Sequence, residues 1–206
     1  LMFEVYNYEG EGELHIDDVR FLPPGAKEKL TSRLVFERFE TGGQASPFGL
    51  QREFHAGGSS SVDFDIASGD GVRGSGGYGV ISGEKRKWEH LELSYWGGMP
   101  LEGHHGFGFY LRGEEAETLG VTLTEIEPRG SVFRPLYEGH RFALPVSKRW
   151  VEWRLPFMPL CSRPTPYRPL GNGAMDGWYL EGVSFFLPGD VEARNMQLHL
   201  DELFFY

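Results

Sequence analysis

The segment HLELSY, residues 90–95, alternates apolar and polar side chains without a break. One face of the segment carries the apolar residues Leu91, Leu93 and Tyr95. The other face carries the polar residues His90, Glu92 and Ser94. This period of two is typical of a strand that buries one face and exposes the other. The segment therefore predicts a half-buried β-strand.

The same alternation recurs along the chain in short runs bounded by glycine and proline. It is found in SSVDFDI, GFGFYL, VTLTEI, HRFAL, VEWRL, GVSFFL and MQLHLDELFF. Apolar residues almost nowhere recur at helical spacing over more than two turns, and the connections are too short for crossover helices. We therefore predict an all-β protein with at least eight strands, folded as an antiparallel β-sandwich of the jelly-roll kind.

Composition excludes several classes of partner. The chain has 206 residues and a formal net charge of −10 at pH 7, so it offers no positive footprint for nucleic acid. No apolar segment approaches the length that crosses a bilayer, which argues against membrane insertion. Cys161 is the single cysteine, which excludes an intrachain disulfide framework and a cysteine-rich zinc site.

An internal repeat bears on domain organisation. Residues 14–21 (LHIDDVRF) and 198–205 (LHLDELFF) share one pattern of residue types. The stretch from Pro23 to Lys29 between them reads as a linker, because it is turn-forming and charged. We therefore predict that residues 1–30 are the closing strand of a preceding, similar module plus a linker, and that residues 31–206 form one jelly-roll module. The alternative is that such a strand recurs by chance.

A series of features resembles a known family. In chain order they are Phe36-Glu37-Arg38-Phe39-Glu40, the glycine-rich Gly74 to Val80, Gly106 to Gly113, Trp150 to Phe157, Val183-Ser184-Phe185 and Leu200-Asp201-Glu202-Leu203. Together they resemble the galactose-binding domain-like jelly rolls, in particular the family 11 carbohydrate-binding modules and, more distantly, the complex I intermediate-associated 30 kDa domain.

The resemblance implies a set of ligand-binding residues. A sugar site needs an aromatic plane together with carboxylate, amide or guanidinium groups. By resemblance, Trp88 is the stacking aromatic, Glu138 an acceptor carboxylate, and Arg163 with Tyr167 a donor and aromatic pair. Each has a structural alternative, namely packing for the aromatics and surface pairing or solvation for the charges. Trp150 and Trp153 are assigned to packing outright.

Two further implications concern positions at the strand ends. The family pattern carries polar and aromatic ligand groups where this chain has Ser184 and Leu187. The family also carries a structural calcium ion, and Glu40 and Asp201 fall where its ligands would lie. The alternative for these carboxylates is that they hydrogen-bond a turn.

The function expected from this resemblance is non-catalytic. We predict a carbohydrate-binding module that recognises a β-glucan-like polysaccharide and targets a linked domain to it, in an extracellular, secreted or periplasmic protein. The alternative is a protein-interaction or assembly domain of the same fold with a degenerate sugar cleft. A glycan-cleaving enzyme is the third interpretation. Such an enzyme needs two carboxylates that flank the glycosidic bond, and Glu114 with Glu115 is one pair that the sequence offers. With 30 acidic residues in the chain, however, no pair is singled out.

Two other signals are rejected on context. Residues 69–74 (GDGVRG) match the dinucleotide-binding G-x-G-x-x-G, but a further strand follows them where that site needs a helix. His104 and His105 are adjacent and lack a partner at zinc-ligand spacing.

Overall fold

The computed structural model describes residues 33–40, 51–58, 60–69, 71–100, 104–126, 137–157, 163–164 and 179–206. These ranges contain twelve strands and one short 3-10 turn, Val72–Gly74. The strands are β1 Leu34–Glu37, β2 Gln51–Ala56, β3 Ser61–Ser68, β4 Gly77–Lys85, β5 Leu91–Pro100, β6 Gly106–Glu114, β7 Thr118–Ile126, β8 Tyr137–Pro145, β9 Val151–Pro156, β10 Arg163–Pro164, β11 Tyr179–Phe186 and β12 Ala193–Phe205.

The strands form two antiparallel sheets. The first has the order β3-β4-β12-β6-β9, with β1 also paired to β12, and the second has the order β10-β8-β7-β11-β5-β2. Neighbours in each sheet are mostly distant in sequence, as in a jelly roll. The predicted all-β antiparallel sandwich is confirmed.

The core lies between the sheets and is built by the alternation seen in the sequence. Leu93, Val121 and Phe185 point inward from the second sheet and are fully buried. Phe109 meets them from the first sheet, with its ring edge-on to that of Phe185 at 5.0 Å between centroids. Burying each such side chain stabilises the fold by about 1.5–3 kcal/mol.

An ionic network covers the outer face of the first sheet. Arg33 donates to both carboxylate oxygens of Glu152 at 2.7 Å, and Arg154 and the Tyr110 hydroxyl also donate to it. Burial raises the pKa of Glu152, but the hydrogen bonds from Tyr110, Arg33 and Arg154 outweigh it and hold the pKa at about 2. Because Arg33 precedes β1 and Glu152 lies on β9, the network ties the first described strand to the sheet edge.

The remaining sequence predictions concern the N-terminal residues, two tryptophans and the glycine-rich segment before β4. Residues 1–30, with the predicted preceding module and linker, lie outside the described residues. Trp150 and Trp153 are half-buried. The segment rejected as a dinucleotide site leads through the 3-10 turn into β4. In the ranges described, no helix is long and apolar enough to cross a membrane.

Candidate functional site

A groove crosses the exposed face of the second sheet. Antiparallel register places Ser94, Ser184 and Thr122 side by side on β5, β11 and β7. The same row continues to Arg141 on β8 and to Glu53 on β2. These positions alternate with the core residues on their strands. Ser184, Thr122 and Arg141 line the groove and form its polar floor, whereas Ser94 is buried and Glu53 lies outside the lining.

Two aromatic rings flank this floor, each lying across a glycine of the next strand. A Cβ built on Gly182 would come within 2.5 Å of the Trp96 ring, and one on Gly120 within 2.2 Å of the Phe186 ring. The rings occupy the space that a side chain would fill on the neighbouring strand. The two glycines therefore let Trp96 and Phe186 lie over the sheet instead of standing away from it.

Polar contacts hold these side chains in place. The Trp96 indole donates from Nε1 to Ser94 Oγ at 3.0 Å, and the Arg141 guanidinium lies over the Phe186 ring at 4.6 Å from its centroid. Glu92, on the same face as Ser94, pairs with His90 at 3.0 Å between Oε2 and Nε2. The groove thus has aromatic planes next to a carboxylate, hydroxyls and a guanidinium.

Trp88 stands at the mouth of the groove. It lies in the loop between β4 and β5 and is 76% exposed, whereas large apolar side chains of the core are buried. A Cβ on Gly189, in the turn between β11 and β12, would lie 3.7 Å from the Trp88 ring. The ring therefore rests beside that turn and presents most of its surface to solvent.

The groove has a volume of about 730 Å³, and its lining includes Trp88, Trp96, Phe186, Glu92 and Arg141 together with the hydroxyls of Thr122, Thr124 and Ser184. This is within the range of small-ligand sites, which span roughly 300–1,000 Å³. Ring faces bind the C–H surface of a sugar, and carboxylate, hydroxyl and guanidinium groups bind its hydroxyls. The groove has the chemistry that a glycan requires.

The sequence-predicted ligand residues are distributed unevenly around this groove. Trp88 lines it. The backbone of Arg163 pairs with Arg141, and that of Glu138 pairs with Glu125, while the side chains of Arg163 and Glu138 lie outside the described structure. Tyr167 lies outside the described residues altogether. The roles of these four residues stay predictions.

The two positions that depart from the family pattern both line the groove and are both largely buried. Ser184 lies in its polar floor, and Leu187 also packs in the hydrophobic core. Phe186, between them along the chain, supplies an aromatic ring to the groove. Sequence reasoning missed this residue and Trp96, although both continue the polar face of their strands. A large aromatic on a polar face is the signal that would have identified them.

The carboxylates predicted to hold calcium differ in their surroundings. Asp201 is fully buried: its Oδ2 accepts hydrogen bonds from Val72 N and Ser75 Oγ, both at 2.6 Å, and its Oδ1 accepts from Glu202 N at 2.7 Å. Burial raises the pKa of Asp201, and the charge of the exposed Glu40 adds to this. The carboxylate thus holds the turn before β4.

Calcium takes six to eight oxygen ligands. The described residues include no group of three or more His, Cys, Asp or Glu side chains placed to hold a metal ion. Since Oδ2 of Asp201 already accepts two hydrogen bonds, this carboxylate and Glu40 do not by themselves fit the ion. Calcium binding stays a prediction.

Comparison with known proteins supports the fold. No protein-family model matches the sequence, and no curated protein does. The structure is similar to the family 11 carbohydrate-binding module of the cellulosomal cellulase Lic26A-Cel5E of Clostridium thermocellum, with a TM-score of 0.62 and 14% identity over 85% of this chain and 94% of that one.

Two further structures agree with this likeness. A solution structure of CtCBM11 has a TM-score of 0.64 at 14% identity, covering 87% of this chain and 97% of that one. A family 11 module from Clostridium thermocellum in complex with a β-1,3-1,4-mixed-linked tetrasaccharide has a TM-score of 0.58 at 14% identity, covering 75% of this chain and 87% of that one. The predicted resemblance in fold is confirmed.

Proposed function

We propose that the chain is a non-catalytic carbohydrate-binding module that holds a polysaccharide in the groove of its second sheet. The observation that carries the proposal is the pair of rings, Trp96 and Phe186, laid over glycines beside a row of hydroxyls. Large aromatic side chains are usually buried in the core of a protein. A surface groove that has two of them beside a polar floor is suited to a ligand with both apolar and polar faces, such as a sugar ring.

The proposed binding mode follows from the positions of the groups. Sugar rings stack on Trp96 in the groove and on Trp88 at its mouth, while Phe186, whose ring is covered by Arg141, borders the ligand. Their hydroxyls hydrogen-bond with Glu92 on one side and Arg141 on the other. Arg141 already lies over the Phe186 ring, so its guanidinium loses little freedom when a ligand binds.

The finer proposal is that the ligand is a β-glucan-like polysaccharide and that the module carries a linked domain to it outside the cell. The β-glucan part is supported by the likeness in fold to a module solved with a mixed-linked tetrasaccharide. The alternative of an assembly domain with a degenerate sugar cleft is less well supported, because Phe186 supplies the groove with an aromatic group next to Leu187.

The proposal is tested by native gels cast with mixed-linkage β-glucan, mannan or xylan. We expect the β-glucan gel to retard the protein relative to a gel without polysaccharide. Retardation by mannan or xylan alone would keep the carbohydrate-binding proposal and overturn the β-glucan specificity. No retardation by any of the three would overturn both.

A further inference from the structure

Lys85, at the end of β4, is fully buried although it carries a charge. Each of its described hydrogen bonds ends on a backbone carbonyl: Nζ donates to Val191 O at 2.7 Å, to Arg86 O at 3.2 Å and to Gly189 O at 3.5 Å. An ammonium group has three donors; two of them make hydrogen bonds of ordinary length, and the contact with Gly189 O is a long one. A buried lysine so satisfied has a geometric role, since burial of its charge is otherwise costly.

The three carbonyls belong to two separate loops at the groove mouth. Arg86 lies in the loop between β4 and β5, which also carries Trp88. Gly189 and Val191 lie in the turn between β11 and β12, about a hundred residues later in the chain. Lys85 therefore joins the two loops that border one end of the groove.

Gly189 links this lysine directly to Trp88. Its carbonyl accepts from the Lys85 ammonium and also from the Trp88 backbone amide. Trp88 has a backbone φ of +67°, a left-handed conformation that a bulky residue rarely adopts and that its surroundings must maintain. The same carbonyl thus connects a buried cation to the one strained residue whose ring stands exposed at the groove mouth.

We propose that Lys85 is a positioning residue that holds the Trp88 ring at the mouth of the groove, which for its effect on sugar binding rests on the proposed function. The ammonium holds the turn that carries Gly189 against the loop that carries Trp88, through Val191 O on one side and Arg86 O on the other, and the Gly189 carbonyl then accepts from the Trp88 amide. Without Lys85 the two loops lose this shared donor, and the Gly189 carbonyl is no longer held in place for the left-handed turn at Trp88.

The first test reads the conformation of Trp88 without any ligand. Lys85→Met keeps the aliphatic stem, one atom shorter, and removes its donors, while Lys148→Met removes an exposed lysine between β8 and β9 as the matched control. In protein labelled with nitrogen-15, the indole peak of Trp88 is assigned with Trp88→Phe. We expect this peak to move or broaden in Lys85→Met, with the other indole peaks and the control unchanged.

An unchanged Trp88 peak would overturn the proposal, because it would show that Lys85 does not position this ring. Equal shifts of all the indole peaks would also overturn it, because they would show a general loosening of the fold. Should Lys85→Met not fold, Lys85→Gln is assessed by the same criteria, since it keeps a polar head that is too short to reach both loops.

The second test is a double-mutant cycle on affinity for mixed-linkage β-glucan. We expect Lys85→Met to weaken binding about five- to tenfold in the natural chain and less than twofold in a Trp88→Ala background, because Lys85 acts through Trp88. Equal losses in both backgrounds would overturn the proposal. If the natural chain binds no glycan, the proposed function fails, and the Trp88 peak still decides the role of Lys85.

Discussion

Replacing Asp201 by asparagine is expected to lower the free energy of unfolding by about 2 kcal/mol in the absence of calcium. The isosteric amide keeps one acceptor oxygen and puts an N–H₂ group where the other oxygen was. Depending on its orientation, that group faces the amide of Glu202 or the donors from Val72 and Ser75, which now approach Oδ2 within 2.6 Å. A buried donor left unpaired costs about 1–3 kcal/mol.

Two effects set this magnitude. The three hydrogen bonds to a charged carboxylate favour aspartate, and the burial of that charge, which raises its pKa, works against it. The net loss of about 2 kcal/mol in the free energy of unfolding corresponds to a fall of about 4–8 °C in melting temperature for a chain of this size.

The assay is thermal unfolding of both proteins in excess chelator and again in millimolar calcium. If Asp201 also binds calcium, the natural chain gains further stability with the metal and the variant does not. Equal melting temperatures of the two proteins in chelator would refute the assignment of Asp201 as the group that holds the turn, because the hydrogen bonds need no metal.

Two other substitutions test the ionic network and the groove. Glu152→Gln should lower the free energy of unfolding by about 1 kcal/mol at pH 7, a value reduced because Glu152 is partly exposed. The pKa of Glu152 is lowered from 4.5 to about 2 in the folded chain. The natural chain therefore has this stabilisation above pH 4.5 and loses it as the pH falls toward 2. Identical acid-unfolding curves would contradict this. Gly182→Ala would place a Cβ 2.5 Å from the Trp96 ring, so we expect about 1–2 kcal/mol of destabilisation and weaker glycan binding. In Gly76→Ala, on the other sheet's side of the molecule, the new Cβ would meet nothing within 4 Å, and binding equal in Gly182→Ala and Gly76→Ala would contradict the role given to Gly182.

The strands were predictable because their alternation is local. In HLELSY the apolar residues Leu91, Leu93 and Tyr95 are buried, as a period of two requires. The order of strands in each sheet was not predictable by the same means. β12 pairs with β4 and β6, and this depends on packing between segments far apart in the chain, which no short pattern records.

The groove was only partly predictable from the sequence. Alternation alone places Trp96 and Phe186 on the polar faces of their strands. That each ring lies over a glycine depends on register between β5, β11 and β7, which links residues tens of positions apart. The turn held by Asp201 was not predictable for the same reason, because Val72, which donates to Asp201, lies 129 residues away in the chain.

The most direct test of the proposed function is calorimetric titration with a mixed-linkage β-glucan oligosaccharide. The natural chain should bind, Trp96→Ala should weaken binding about ten- to a hundredfold, and Tyr78→Ala, which removes a half-buried aromatic from the outer face of the other sheet, should bind as the natural chain does. Binding that is equal in the natural chain and Trp96→Ala, or no binding by the natural chain, would contradict the assignment of the groove as the sugar site.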